Sequence, residues 1–241
     1  MIYEEPYTLP YYLTTQKQTV NLATLVNMLL MGSEHQLDQL GAGVDALLAH
    51  GLGWVITQYE IKINAMPPVE TPLVLGTQAT TYNKLMTYRD YWVADLAGHK
   101  LATMRGAWVM MDLDSRKLVP ILPEFPEKVG AVSDTLVQRF SRLPKLERID
   151  VDVPYRVRYF DIDGNRHVNN VHYFEWMEDS LGYDFLSQHD IDSVQIKYAR
   201  EVTYGSTPHA QAQIEGITTH HQIVSDGVVN AEATFVWHQR D

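Results

Sequence analysis

The residues with the clearest chemical potential lie in one short segment, Asp163-Gly164-Asn165-Arg166-His167. It presents a carboxylate, a carboxamide and an imidazole at alternate positions, which would share one side of an extended segment. Asn165 could donate to a carbonyl oxygen or hold a water molecule. His167 could polarise a carbonyl or shuttle a proton near neutral pH, and Asp163 could orient either side chain or help to place the water.

The same segment also has a purely structural interpretation. Aspartate, glycine and asparagine are common loop formers, and a histidine in a loop is usually only solvated. The residue types alone leave this turn interpretation open.

Glu201 is a further carboxylate to consider, and its residue type is compatible with a general base. A carboxylate beside an apolar tunnel would lose its hydration and become a better proton acceptor. General base catalysis contributes about 10²- to 10⁴-fold to a rate. The alternative is a surface glutamate that pairs with its neighbour Arg200.

A helix is predicted to follow the segment, from about residue 170 to residue 186. Its apolar residues fall on one stripe: Val171, Phe174, Met177, Leu181 and Phe185. Asn169 or Asn170 could cap its first turn through a side-chain oxygen. Because free N–H groups and the helix dipole favour negative charge, backbone donors from His167 through Val168 to Asn170 are candidates for stabilising an oxyanion.

The chain has the pattern of one structural unit used twice. Each half contains a strand, a long helix and several antiparallel strands, and a hairpin is predicted at Asp226-Gly227 in the second half. A sheet that wraps a long apolar helix covers it with little else. We therefore predict an α+β fold with an N-terminal domain over residues 1–130, a linker over residues 131–149 and a C-terminal domain over residues 150–241.

The composition excludes several classes of function. The 241 residues carry a net charge of -11 and include no cysteine, so disulfides, thiol metal sites and cysteine nucleophiles are excluded. The acidic balance disfavours nucleic acid and anionic membranes. No apolar run approaches the roughly 20 residues of a membrane span, and the N-terminus lacks a signal-peptide pattern. We expect a cytoplasmic protein that uses no metal and no cofactor.

The segment from Arg158 to Tyr173, with its Asp-x-Asn-x-His-Val-Asn-Asn string, resembles the active-site segment of plant and bacterial acyl-acyl carrier protein thioesterases. Residues 198–201, Tyr-Ala-Arg-Glu, are similar to the strand that carries the catalytic glutamate of that family. Some plant members have a cysteine directly after this glutamate, where this chain has Val202. Either this chain is inactive or the family does not need the thiol, and we favour the second interpretation because the other polar residues of the family are all present. The first half carries weaker matches: Trp54-Val55-Ile56, Arg89-Asp90-Tyr91-Trp92 and Ala107-Trp108-Val109-Met110-Met111-Asp112.

The resemblance implies two tandem hot dog domains, each a long helix wrapped by an antiparallel sheet. It implies hydrolysis of fatty acyl-acyl carrier protein to free fatty acid and carrier protein in fatty acid biosynthesis. The implied site residues fall into two groups: Asp163, Asn165, His167 and Glu201 for catalysis, and Val168, Asn169 and Asn170 for substrate binding. The second domain would hold the single active site, because the corresponding junction in the first domain, residues 13–19, has no carboxylate or imidazole. The first domain would shape the acyl pocket.

Three other functions fit the same architecture. They are a hydratase or dehydratase of acyl thioesters, an acyl-CoA thioesterase of the hot dog superfamily, and a non-catalytic acyl-binding protein. The partner expected from the resemblance is an acyl carrier protein loaded with a fatty acyl chain, with no nucleic acid and no membrane insertion. A homodimer is compatible with the expected architecture.

Overall fold

A computed structural model describes residues 1–240 of the chain. The chain divides into two compact units, Met1–Phe140 and Ser141–Asp241, and the boundary lies inside the predicted linker of residues 131–149. Within the described residues, no helix is both long enough and apolar enough to cross a membrane.

The first unit is an antiparallel sheet with one long helix. Its elements, in chain order, are β1 (Ile2–Thr8), α1 (Leu22–Gln39), α2 (Val44–Leu48), β2 (Leu52–Ile63), β3 (Pro72–Tyr82), β4 (Thr87–Ala94), β5 (Lys100–Asp112), β6 (Lys117–Val119), α3 (Glu124–Lys128) and β7 (Val132–Ser133). The main strands lie in the order β1-β3-β4-β5-β2. Short β6 pairs with β5, and β7 runs parallel to β3.

Helix α1 is specified by its cap and by its apolar face. The side chain of Asn21 accepts a hydrogen bond from the Thr24 N–H at 2.8 Å, which satisfies one of the free donors of the first turn. Buried residues then recur every three or four positions, and α1 packs on β3, β1 and β4. This is the spacing of a helix that covers a sheet on one face.

The second unit repeats this plan with shorter helices. Its elements are β8 (Val151–Pro154), α4 (Val171–Asp179), α5 (Tyr183–Gln188), β9 (His189–Tyr198), β10 (His209–Glu215), β11 (Thr218–Ser225) and β12 (Val228–Gln239). The strands are antiparallel in the order β9-β12-β11-β10-β8. The predicted Asp226-Gly227 hairpin joins β11 to β12, with φ of 51° and 74° at its two turn residues. The α+β fold class is confirmed.

The prediction of one helix from residue 170 to residue 186 is wrong. The helix stops after Asp179, and α5 begins at Tyr183. Gly182 between them has φ +82°, a left-handed conformation that glycine adopts readily and that cannot continue a right-handed helix. The apolar stripe is therefore shared by two short helices.

Candidate active site

The segment before α4 is a closed turn and not an extended strand. Ile162 and Val168 form an antiparallel bridge, and the Asp163 N–H donates to the His167 carbonyl at 2.9 Å. Arg166 has φ +66°, which turns the chain back on itself. The expectation that residues 163, 165 and 167 alternate along an extended segment is therefore wrong.

Asp161 anchors the start of this turn. Its carboxylate is almost fully buried and accepts the Arg158 N–H at 2.7 Å and two guanidinium bonds at 2.9 and 2.6 Å. Burial alone would raise the pKa of Asp161, but the hydrogen bonds from Arg158 outweigh burial and hold the pKa below its ordinary value. A charged, fully bonded aspartate thus fixes the backbone that leads into the site.

The turn brings His167 to Glu201. The distance from His167 Nε2 to Glu201 Oε2 is 3.0 Å, with the two side chains 22% and 43% exposed. The expected desolvated carboxylate is therefore not found, since Glu201 is partly in solvent. The carboxylate of Glu201 faces the imidazole of His167 at the end of the turn.

The backbone around Glu201 is held from two sides. The Asn230 carboxamide donates to the Glu201 carbonyl at 3.2 Å, and the Val168 N–H donates to the Val202 carbonyl at 2.9 Å. These bonds tie the end of β9 to β12 and to the turn that carries His167. No pattern in the sequence points to a role for Asn230, because that role depends on its contact with Glu201, which lies 29 residues earlier in the chain.

Asp163 and Asn165 have more local positions. The Asp163 carboxylate accepts the Asn165 N–H at 2.8 Å, so it holds the backbone of the turn, a common role of aspartate. Asn165 is exposed at the tip of the turn. The structure therefore places His167 and Glu201 in contact, with Asp163 shaping the turn beside them.

The start of α4 leaves few donors for a substrate. The N–H groups of Val168 and Asn169 already donate to Val202 and Asp161 carbonyls, and the Val171 N–H donates to the Asn169 side chain at 3.1 Å. Asn170 differs, because its buried Nδ2 has no acceptor anywhere in residues 1–240. His167 Nδ1 is likewise buried and unpartnered in that part of the chain.

Two tyrosines, buried Tyr173 and half-buried Tyr198, connect α4 with the chain that carries Glu201. The Tyr173 hydroxyl accepts the Val202 N–H at 3.0 Å, and the Tyr198 hydroxyl donates to the Asn170 carbonyl at 3.0 Å. Burial raises the pKa of Tyr173 above its ordinary value, and the charges of Glu201 and Asp163 raise it further. The phenol therefore stays neutral across the physiological range.

We expect Tyr173→Phe to destabilise the protein by about 1–3 kcal/mol, because it leaves the buried Val202 N–H without an acceptor. It should also lower kcat, since the backbone of Glu201 loses a fixed neighbour. Urea unfolding and steady-state kinetics measure the two effects. The control is Tyr204→Phe, which removes a hydroxyl from an exposed tyrosine. Equal stability of Tyr173→Phe and wild type would contradict the anchoring role.

The first unit repeats the backbone of this turn. A 3-10 turn (Tyr11–Leu13) precedes it, as Tyr159–Asp161 does in the second unit. The Thr15 N–H donates to the Thr19 carbonyl at 2.8 Å, and Gln18 has φ +57°. The two turns therefore share their local hydrogen bonding and the position of their left-handed residue.

The chemistry of the repeated turn is absent from the first unit. Matching hydrogen bonds align Thr15 with Asp163, Lys17 with Asn165, Thr19 with His167 and Met66 with Glu201. Neither carboxylate nor imidazole is retained at these positions. The repeat thus offers an internal comparison in which the backbone is kept and the reactive groups are replaced.

Comparison with known proteins gives matches over both units. Two family models match, the acyl-ACP thioesterase N-terminal domain over residues 1–129 and the acyl-ACP thioesterase C-terminal domain over residues 145–239. An oleoyl-acyl carrier protein thioesterase of Arabidopsis thaliana is 24% identical over 83% of this chain and 59% of its own length. A palmitoyl-acyl carrier protein thioesterase of Gossypium hirsutum is 25% identical over 83% of this chain and 52% of its own length. Both are described as chloroplastic, and this chain spans between about half and three fifths of their length.

Solved structures extend the similarity to the whole chain. A Lactobacillus plantarum protein, provisionally called an oleoyl thioesterase, is 36% identical, covers 100% of this chain and 97% of its own, and has a TM-score of 0.96. A 12:0-ACP thioesterase from Umbellularia californica is 20% identical over 99% and 98% of the two chains, with a TM-score of 0.88. At 20% identity, the similarity to the Umbellularia californica structure shows only that the fold is shared. The predicted pair of hot dog domains is confirmed.

Proposed function

Because the chain belongs to the acyl-ACP thioesterase family, we propose that it hydrolyses fatty acyl-acyl carrier protein to free fatty acid and carrier protein in fatty acid biosynthesis. The observation that carries this proposal is the 3.0 Å contact between His167 Nε2 and Glu201 Oε2. The turn that carries His167 continues into Asn170, whose side-chain Nδ2 has no hydrogen-bond partner within residues 1–240. A positioned base together with donors for a developing oxyanion is what attack of water on a carbonyl requires.

In the proposed reaction, Glu201 removes a proton from water as the water oxygen attacks the thioester carbonyl carbon. His167 donates through Nε2 to the carboxylate and fixes its direction. The tetrahedral oxyanion accepts hydrogen bonds from Asn170 at the start of α4. When the carbon–sulfur bond breaks, the proton passes from Glu201 to the leaving thiolate, so that the products are a fatty acid and a free thiol.

The remaining site residues support this reaction in the proposal. Asp163 keeps the turn closed through the Asn165 N–H, and Asn165 contacts the thioester from the exposed tip. The Val168 and Asn169 N–H groups are already bonded, so the proposed substrate contact of this stretch is concentrated on Asn170. No cysteine exists in the chain, which agrees with water as the attacking group. The proposal assigns catalysis to the second unit and the acyl pocket to the first.

The surroundings of the turn support a protein-borne substrate. Tyr159 and Phe160 are 76% and 85% exposed, and Arg166 and Arg200 are also exposed. Aromatic residues and arginine are enriched where proteins bind each other. These cations stand out on a chain of net charge -11, which favours a negatively charged carrier at this edge.

We expect Arg166→Glu to raise KM for an acyl-carrier protein about three- to tenfold, because it reverses a charge beside the docked carrier. KM for a short thioester of uncharged N-acetylcysteamine should not change, since that substrate has no carrier surface. Steady-state kinetics with both substrates at low and high salt provide the measurement. Arg142→Glu makes the same charge change at an exposed position in the predicted linker. An equal effect of both variants, or none, would contradict a carrier site at the turn.

The rival functions are separated by one assay with saturated and 2-enoyl acyl thioesters. The proposal predicts release of free thiol and fatty acid from the saturated compound. Conversion of the enoyl compound without thiol release would show a hydratase or dehydratase. Tight binding without any conversion would show an acyl-binding protein, and equal use of coenzyme A and carrier protein esters would favour an acyl-CoA thioesterase.

The cytoplasm is the proposed compartment, in keeping with the sequence-based expectation, and a homodimer is compatible with the proposal. Fractionation of cells that produce the protein from its own gene tests the compartment. Sedimentation of the purified chain tests the assembly.

A further inference from the structure

Strand β12 carries a β-bulge at Asn230. Ile223 of β11 pairs with Ala231, and the next residue of β11, Val224, pairs with Val229. The register therefore steps over Asn230, which is an extra residue without an opposite partner on β11. Bulges bend a strand and redirect a side chain, and they are frequent beside active sites. Asn230 is 3% exposed, so its carboxamide needs hydrogen-bond partners inside the protein.

The bulge holds the chain that leads into Glu201 through both its backbone and its side chain. The Asn230 carbonyl accepts the N–H groups of Ala199 and Arg200 at 2.8 and 3.1 Å, and its Nδ2 donates to the Glu201 carbonyl at 3.2 Å. Its Oδ1 accepts the Ser225 N–H at 2.9 Å and the Ser225 hydroxyl at 2.8 Å. Because a backbone N–H can only donate, Ser225 fixes the orientation of the carboxamide, which in turn fixes the residue that carries the proposed base.

The first unit has the same bulge without the carboxamide. Leu101 of β5 is skipped in the register with β4, and its carbonyl accepts the N–H groups of Asn64 and Ala65 at 2.8 and 3.1 Å. Met66 follows, at the position that aligns with Glu201. Since leucine has no side-chain donor, the backbone bonds alone are sufficient to form this bend. The carboxamide is therefore an addition of the second unit, where a glutamate stands in place of the methionine.

We propose that Asn230 is a positioning residue, which holds the backbone of Glu201 so that the carboxylate meets His167 and the attacking water. This assignment rests on the proposed function, because it takes Glu201 as the base. It goes further by giving that base a fixed support, formed by Asn230 and Ser225. A misplacement of about 1 Å can cost about 100-fold in rate. Because Asn230 acts through the base and not on the substrate, its loss should lower kcat and leave KM unchanged.

The first test is a kinetic cycle. We expect Asn230→Leu, which introduces the residue of the first-unit bulge, to lower kcat for an acyl-carrier protein about 10- to 100-fold. Asn230→Asp keeps the acceptor for Ser225 but loses the donor, and should show a similar loss. In the Glu201→Gln background, Asn230→Leu should cost less than about threefold, because the group that it positions is already gone. Equal losses in both backgrounds, or wild-type kcat in both single variants, would overturn the proposal.

The matched control is Asn64→Leu. The Asn64 carboxamide also donates to a backbone carbonyl, that of Lys100 at 2.8 Å, beside the bulge of the first unit, and we expect this variant to keep the wild-type kcat. Ser225→Ala removes one of the two donors to Asn230 Oδ1 and should lower kcat about two- to tenfold. Thermal unfolding shows whether each variant is folded. Asn230→Asp, which keeps the bonds to Ser225, carries the test if the leucine variant does not fold.

The second test does not depend on turnover. His167 Nε2 lies 3.0 Å from Glu201 Oε2, so its nitrogen-15 resonance reports the position of the carboxylate. We expect Asn230→Leu to shift this resonance at fixed pH and Asn64→Leu to leave it in place, with His167→Ala identifying the signal. An unshifted resonance in Asn230→Leu, in an enzyme that Glu201→Gln still inactivates, would overturn the proposal and leave the proposed function intact. Wild type that releases no thiol would contradict the function, while a shifted resonance would still support the role of Asn230 in holding Glu201.

Discussion

Replacing Glu201 with glutamine is expected to lower kcat for acyl-carrier protein hydrolysis by about 10²- to 10⁴-fold, the contribution of a general base. KM should change little, because glutamine has nearly the same shape and the docking surface is untouched. The carboxylate lies 3.0 Å from His167 Nε2, so glutamine can keep a hydrogen bond there while losing the ability to take a proton from water. Steady-state kinetics of the purified, folded variant provide the measurement.

The matched control is Asp192→Asn. It removes a carboxylate that also contacts a histidine, with Asp192 Oδ1 2.7 Å from His238 Nδ1, on an exposed part of the same unit. We expect this variant to keep the wild-type kcat. A Glu201→Gln enzyme within about threefold of wild type, alongside an unchanged control, would show that the base lies elsewhere.

Removal of the imidazole in His167→Ala is expected to lower kcat by about a hundredfold or more, because the carboxylate of Glu201 then loses the group that fixes its direction. The two residues should act as one unit. The double variant Glu201→Gln/His167→Ala should therefore be close to the slower single variant, far from the product of the two losses. Fully multiplicative effects would show that the two side chains contribute to separate steps.

His172→Ala is the control for the loss of an imidazole. His172 contacts Glu175 at 2.7 Å on α4, so the variant also breaks a histidine–carboxylate contact near the turn. We expect a change in kcat of less than about threefold. A loss equal to that of His167→Ala would mean that the activity reports the folding of this helix and not the chemistry of His167.

Much of the architecture follows from local patterns in the sequence. The repeated order of a strand, a helix and antiparallel strands and the Asp226-Gly227 hairpin are both predicted from such patterns. The prediction of one helix over residues 170–186 is wrong because the stripe of apolar residues continues past Gly182, where the backbone adopts a left-handed conformation. Hydrophobic spacing does not distinguish one long helix from two short helices separated by a turn.

The site could be predicted only in part, for a physical reason. Residue types identify a turn rich in polar groups, but its closed shape depends on the Asp163 N–H reaching the His167 carbonyl. The His167–Glu201 contact, the anchoring by Asn230 and the tyrosine bonds of α4 join residues far apart in the chain. No periodicity or composition encodes those distances.

The most direct test of the account is a single turnover in oxygen-18-labelled water, with enzyme in excess over a saturated acyl-carrier protein. Attack by water that is activated by Glu201 predicts release of one free thiol per fatty acid, with one labelled oxygen in each fatty acid from the first turnover. Unlabelled fatty acid, with the label in the Glu201 carboxylate after digestion and mass spectrometry, would contradict the account by showing a covalent acyl-glutamate. Failure to release any thiol would contradict it outright.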